Sequence, residues 1–328
     1  MGVEVKAGKL NWDDLKEIIS ENRGVVREEV VVHSGIGEDC AVVNFGEWNC
    51  VLSTDPITGA GKNLGRLAVN INCNDIASSG VEPLGIMVTI LAPEGTRLEE
   101  IKELMNEIGE ECTRLGIEIL GGHTEVTSAV NRMVVSCTVI GKGSKGKTIA
   151  TGGAQIGDDI IVTKYLALEG TSIIINDMEE KVKHILTQED INEGRSFINM
   201  LSVIEEGKIA GNYGANSMHD ITEGGVLGAL WEVAQASGVG FEVYYDSMPI
   251  RPVTLKLCRY LNIDPLRLIS SGSMLITAPD GKSLVKKLKD KGINAEVIGK
   301  ITEEKGILLS NGEAHEVEPP ERDELFNI

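Results

Sequence analysis

The feature that most constrains this fold is an alternation of two hydrophobic periods, interrupted once. Extended apolar runs (AVVNF, CVLST, LGIMVTILAP and RMVVSCTVIG) alternate with segments whose apolar residues recur at helical spacing. The clearest helix covers residues 97–115, with Leu98, Ile101, Leu104, Met105, Ile108, Cys112 and Leu115 on one face. Between residues 141 and 158 the pattern lapses into Gly, Lys and Thr, and DDIIVTK restarts it. A chain of 328 residues has length for about two domains, so the lapse marks the expected boundary. Alternation in both halves predicts a mixed α/β (α+β) fold. The expected division is an N-terminal helix and extension (1–32), a first domain (33–146), a second domain (147–311) and an acidic tail without a clear element (312–328).

Further helices are expected over 11–23, with Asn11 as cap and Gly24 as stop, and in LGRLAVNINCNDIA, stopped by Gly80. VVREEVVVH reads as extended, and IEIL is followed by a glycine turn. The second half predicts helices over 165–175, 188–207, 252–261 and 282–291. Strands are expected in VGFEVYY, SMLITA, AEVIGK and GILL.

Composition excludes several function classes. The net charge of −19 opposes nucleic acid and anionic membrane, which are bound through Lys and Arg. It also disfavours a bare nucleotide triphosphate, so any bound nucleotide is expected either as a metal complex or at a local positive spot. The six cysteines form no CxxC pair and match no zinc spacing; buried free thiols and a cytoplasmic setting are the expectation. No apolar run reaches the length of a membrane span, and MGVEVKAGKLNWDD lacks the apolar stretch of a secretion signal.

GKGSKGKT at Gly141–Thr148 satisfies the P-loop pattern. A working P-loop must open a helix whose first amides cradle phosphate, but here TIATGGAQIGDDIIVTK leads into a strand. The stretch is therefore read as a basic interdomain linker.

Between Gly35 and Gly85 lie three acidic turns: GIGEDCAVV, STDP and NCNDIASSGVEP. They place Asp39, Asp55 and Asp75 at or near element ends, where three carboxylates can converge on a hard cation such as Mg2+. Spacing alone equally allows three separate turn or cap aspartates. LGGHTEV adds His123 and Glu125 as candidate ligands or acid–base groups, presented by Gly121 and Gly122. HDITEGGV sets Asp220, Thr222, Gly224 and Gly225 at a strand-to-helix turn, an arrangement suited to an anion. Glu223 reads instead as a first-turn acid favoured by the helix dipole. His33, His184 and His315 carry no pattern, and no nucleophile turn is evident.

Taken in order, GxGEDCAVV, STD, NDIASSGVEPLG, GGHTEV, HDITEGGVLGAL and SGVGFEV…MPIRP resemble the AIR synthase superfamily over about residues 30–310. That group includes selenophosphate synthetase, thiamine monophosphate kinase and the hydrogenase maturation factor HypE. The second half, through LNIDPL and SSGSMLIT, is most similar to HypE and to AIR synthase-related proteins. The resemblance implies an N-terminal ATP-binding domain that pairs in a homodimer, followed by a C-terminal α/β domain. It implies ATP held with Mg2+ by Asp39, Asp55 and Asp75, with Gly37, Asn74, Gly121, Gly122 and Glu125 beside them. Thr222, Gly224 and Gly225 match the second-domain loop, with Asp220 in a catalytic position. The implied chemistry is phosphorylation or activation of an oxygen on a small polar substrate. Two departures qualify it. The last cysteine is Cys258 and the sequence runs out in ERDELFNI, so the HypE reaction on its own tail is not expected. His123 stands where several relatives carry an acid. A non-catalytic ATP-binding partner, or a HypE-like maturation factor lacking the cysteine and working with another protein, are the alternatives.

Overall fold

The computed structural model describes residues 10, 12–21, 24–33, 35, 37–58, 61–320 and 322–328. Asn11, the expected cap of the first helix, lies outside the described residues.

The first half contains α1 (Trp12–Glu21), β1 (Val30–Val32), β2 (Ala41–Phe45), β3 (Trp48–Ile57), α2 (Leu64–Ser78), β4 (Pro83–Ala92), α3 (Leu98–Leu115), β5 (Glu118–Val126) and β6 (Val134–Ser144). Its six strands form one sheet in the order β1-β2-β3-β6-β4-β5. All pairs are antiparallel except β4 with β5. Helix α2 lies on this sheet at close range. A Cβ at Gly141 would sit 2.5 Å from the Ile76 side chain, and one at Gly143 2.9 Å from Val81. Gly141 of the P-loop-like stretch therefore admits the helix onto β6, and Gly143 admits the turn that follows it. The stretch runs as strand and turn, followed by a single 3-10 turn at Thr151–Gly153 and then strand β7, with no α-helix opening from it.

The second half contains β7 (Asp159–Thr163), α4 (Leu168–Asp177), α5 (Glu179–Val182), α6 (Gln188–Ser196), α7 (Ile204–Tyr213), β8 (Ser217–Asp220), α8 (Gly225–Ser237), β9 (Gly240–Tyr244), α9 (Pro252–Leu261), β10 (Met274–Ala278), α10 (Gly281–Asp290), β11 (Ala295–Thr302), β12 (Gly306–Ser310) and β13 (Glu313–Glu316). Its sheet runs β13-β12-β9-β11-β7-β10-β8, antiparallel but for β12 with β9. β10 and β8 are buried along their whole length: β10 (MLITA) is mostly apolar, whereas β8 (SMHD) buries two ionisable side chains, His219 and Asp220.

Three expectations are corrected. The glycine turn in LGGHTEV is part of the continuous strand β5, because β4 offers it a parallel ladder. The helix expected over 188–207 breaks at Leu201–Val203, where the backbone carbonyls of Met200, Leu201 and Ser202 turn to side chains of Asn74 and Lys164. The tail is not devoid of structure. Glu313–Glu316 adds β13 to the sheet edge, and Glu324–Asn327 forms a short 3-10 turn.

The two halves meet through polar contacts, the Asn74 pair buried and the Glu38 pair at the rim. Asn74 donates to Leu201 O (2.8 Å) and accepts from Val203 N (2.9 Å). Glu38 accepts from the amides of Thr151 and Gly152, each at 3.3 Å. Gly207 lets α7 approach α2 so closely that a Cβ there would lie 2.1 Å from Ala77 O. All six cysteines are free thiols. Among the described residues no helix is long and apolar enough to cross a membrane.

Candidate active site

A cleft of about 550 Å³ opens between the two halves. Asp39, Asp55, Asp75 and Asp220 all line it. They come from four elements: the loop after β1, strand β3, the last turns of α2, and the end of β8. Gly37 makes this loop geometry possible. Its φ of +75° suits glycine, and an added Cβ would meet Glu232 on α8 at 3.3 Å.

Asp75 is buried, and its Oδ2 accepts a 2.5 Å hydrogen bond from Ser53 Oγ on β3. Burial, then the charges of Asp220, Asp55 and Asp39, push its carboxyl well above the ordinary range, against the pull of Ser53. The Asp55 amide donates to Asn72 Oδ1 at 2.8 Å, which fixes the strand against α2. Asp39 Oδ2 accepts from Ser78 Oγ at 2.9 Å.

The sequence reading gave no role to His219, which leads the HDITEGGV motif. It is buried and bridges the halves, with Nδ1 2.8 Å from Asp39 Oδ2 and Nε2 2.5 Å from Glu232 Oε2. Burial alone would lower its pKa, but the two carboxylates outweigh that and hold the imidazole well above its usual range. A histidine directly before a strand-end acid was the available signal. Its partner Glu232 lies one helix away and could not be paired from sequence.

Asp39, His219 and Asp220 each bring a ligand atom within 4.8 Å of the others. Both ring nitrogens of His219 already face carboxylates, so the imidazole acts as a counter-charge and the oxygens remain the natural cation donors. An all-carboxylate donor set suits Mg2+. Burial first, and then repulsion from Asp220, Asp55 and Asp39, raises Asp75; a bound cation would relieve the repulsive part.

The remaining predicted residues separate. Thr222 and Gly224 line the cleft, and Gly224 and Gly225 open α8 with φ of +83° and +61°. Of the amides at this helix start, Gly224 N already donates to Asp323 Oδ2 at 2.8 Å. Asn74 is fully buried, and its amide is spent between the two halves. Gly121, Gly122, His123 and Glu125 lie on β5 at the sheet edge and do not line the cleft. His123 Nε2 faces Glu125 Oε2 at 3.0 Å, both exposed.

Two family descriptions match: AIR synthase related protein, N-terminal domain, over residues 37–142, and AIR synthase related protein, C-terminal domain, over residues 155–309. The chain is 30% identical over 320 residues to a putative hydrogenase expression/formation protein of Methanocaldococcus jannaschii, covering 92% of this chain and 91% of that one. It is 26% identical over 257 residues to the carbamoyl dehydratase HypE of Bradyrhizobium diazoefficiens, covering 76% and 72%. Among solved structures, HypE in its complex with HypF superposes with a TM-score of 0.76 at 22% identity, covering 93% of this chain and 99% of that one. AaThiL complexed with AMPPCP and TMP gives 0.74 at 20% identity, covering 94% and 99%. With both domains matched in order and a relative aligned along nearly its whole length, the chain belongs to the AIR synthase related protein family.

Proposed function

We propose that this chain is a Mg2+–ATP-dependent enzyme that phosphorylates, or activates by phosphorylation, an oxygen of a small polar substrate. The convergence of Asp39, Asp55, Asp75 and Asp220 on one interdomain cleft carries this reading. Relatives named as carbamoyl dehydratases, and a structural neighbour holding AMPPCP, support it. Asp39, Asp55 and Asp75 hold the cation, which would offset charge on the phosphates when bound. Gly37, Thr222 and Gly224 line the cleft where the phosphates would lie, and Gly225 shapes the turn into α8. His219, gripped by Asp39 and Glu232, fixes the Asp39 carboxylate and spreads its charge. In phosphoryl transfer such positioning and charge neutralisation provide most of the catalysis.

Asp39→Asn or Asp55→Asn is expected to abolish Mg2+-dependent ATP binding in calorimetry while circular dichroism stays native. Unchanged affinity in both variants overturns the reading. Incubation with Mg2+–ATP and a metabolite extract, followed for ADP and new phosphorylated masses, separates an enzyme from a binding-only partner.

The first-domain sheet leaves Leu84, Met87, Leu120 and Val126 exposed on β4 and β5. This supports pairing of N-terminal domains in a homodimer. His123 and Glu125 sit on that same edge, so a role for them as ligands or acid–base groups requires the paired state. A second reading, a maturation factor acting with a protein partner, is favoured by the Methanocaldococcus relative's description and by the HypE–HypF complex among the neighbours.

A further inference from the structure

Among the described residues, the cleft is lined by eight acidic side chains, one imidazole and one guanidinium, with no lysine. The imidazole is committed to Asp39 and Glu232. The guanidinium belongs to Arg322, and among the described residues no carboxylate pairs with it. Its recorded contact is the face of Phe326, 5.0 Å from the ring centroid, and both residues line the cleft. Stacking on an aromatic face orients a guanidinium while leaving its in-plane donors available.

The backbone that carries Arg322 is fastened on both sides. Asp323 Oδ2 accepts from Gly224 N, and its Oδ1 from Leu325 N, both at 2.8 Å. Leu325 and Ile328 pack against the larger hydrophobic core. Pro320 lies against the first turn of α8, 3.0 Å from where a Gly224 Cβ would be. Arg267 ties the preceding stretch through Glu318 O at 3.1 Å. Residues 318–320 and 322–328 are thus held beside the cleft, where Arg322 supplies an exposed positive charge.

We infer that Arg322 is a specificity-determining residue that grips an oxyanion of the second substrate, and that this substrate therefore carries a carboxylate or phosphate. The inference rests on the enzymatic reading above and adds the substrate's charge class. A molecule of that class is repelled by the chain's net charge of −19 and by the acid-lined cleft. A forked, always-charged donor set is the group that offsets this locally.

The test titrates inorganic phosphate and succinate into the full chain by calorimetry, with and without Mg2+–ADP, for the native protein, Arg322→Gln and Arg322→Lys. Separate titrations with Mg2+–ATP and melting curves accompany them. Arg322→Gln is expected to weaken the preferred probe by about ten-fold or more, with the melting temperature and Mg2+–ATP affinity unchanged. Arg322→Lys should recover part of the loss, since it restores charge without the fork. The stronger probe identifies phosphate or carboxylate as the source. Equal probe affinity in native and Arg322→Gln proteins overturns the inference, as does failure of the native protein to bind either probe. Loss of Mg2+–ATP affinity with probe binding intact overturns it too, by assigning the guanidinium to the nucleotide. If the native protein binds a probe but no Mg2+–ATP, the nucleotide reading fails while the oxyanion site stands.

Discussion

At the residue scale, buried acids set the character of this protein. Glu169, at the start of α4, is nearly fully buried, and burial, with Glu223 and Asp323 nearby, pushes its carboxyl from 4.5 up to about 8. A raised acid keeps its proton in the fold but loses it in the unfolded chain, so its burden grows as pH climbs from about 4.5 to about 8 and then levels off. Glu169→Gln removes that titration. Its stability advantage over the native protein should be small below pH 4.5, rise through neutrality and plateau above pH 8, reaching on the order of 3 kcal/mol. Urea melts at several pH values check this; a pH-independent difference would contradict it. Asp323 behaves in the same direction, raised to about 6 chiefly by burial. The aspartates were visible in the sequence as a set, and four of them do line one cleft. Glu169 was not singled out, because LALEGT reads as an ordinary helix start until its surroundings are known.

At the element scale, glycines decide how closely helices and strands approach. Gly207 puts α7 against the backbone of α2. Gly207→Ala forces a Cβ toward Ala77 O and is expected to cost about 1–3 kcal/mol of stability, because backbone cannot step aside as a side-chain tip can. Chemical denaturation of the variant measures it, and a neutral outcome would show that the two helices separate freely. β5 illustrates the opposite limit of sequence reading. GGHTEV looks like a turn because paired glycines usually bend a chain. Here they let a strand pass its neighbour: register shifts between Ile86 and Met87, and a Cβ at Gly122 would lie 1.8 Å from Val88 O. The local signal marks close approach correctly, but whether the chain bends or pairs depends on a strand some thirty residues earlier. The break between α6 and α7 has the same origin. Carbonyls released at Met200–Ser202 are taken up by Asn74 and Lys164, residues far away in the chain.

At the scale of the whole molecule, the cleft exists because two sheets are held at a fixed juncture. Asn74 spans that juncture with both ends of its amide. Asn74→Ala leaves a buried carbonyl and a buried N–H without partners, at a cost on the order of 3 kcal/mol. Calorimetry should show a lowered and broadened transition as the halves uncouple; a sharp, unshifted melt would place the coupling elsewhere. The mixed α/β class, the lapse near residue 150, most helices and the acidic motif set were written in the sequence by itself. Periodicity, glycine stops and residue chemistry are local properties, and the chain displays them without folding. Only the tertiary structure decided that His219 joins Asp39 to Glu232, that Asn74 binds the halves together, and that β5 takes His123 and Glu125 to an outer edge. It also decided that the tail read as featureless brings Arg322 and Asp323 to the opening of α8. Each of these is a pairing across a long sequence separation, fixed by packing and by the need to satisfy buried polar groups. The three aspartates between Gly35 and Gly85 were legible as a set of acids; the fold brought them to one cleft and decided which side chains stand opposite them.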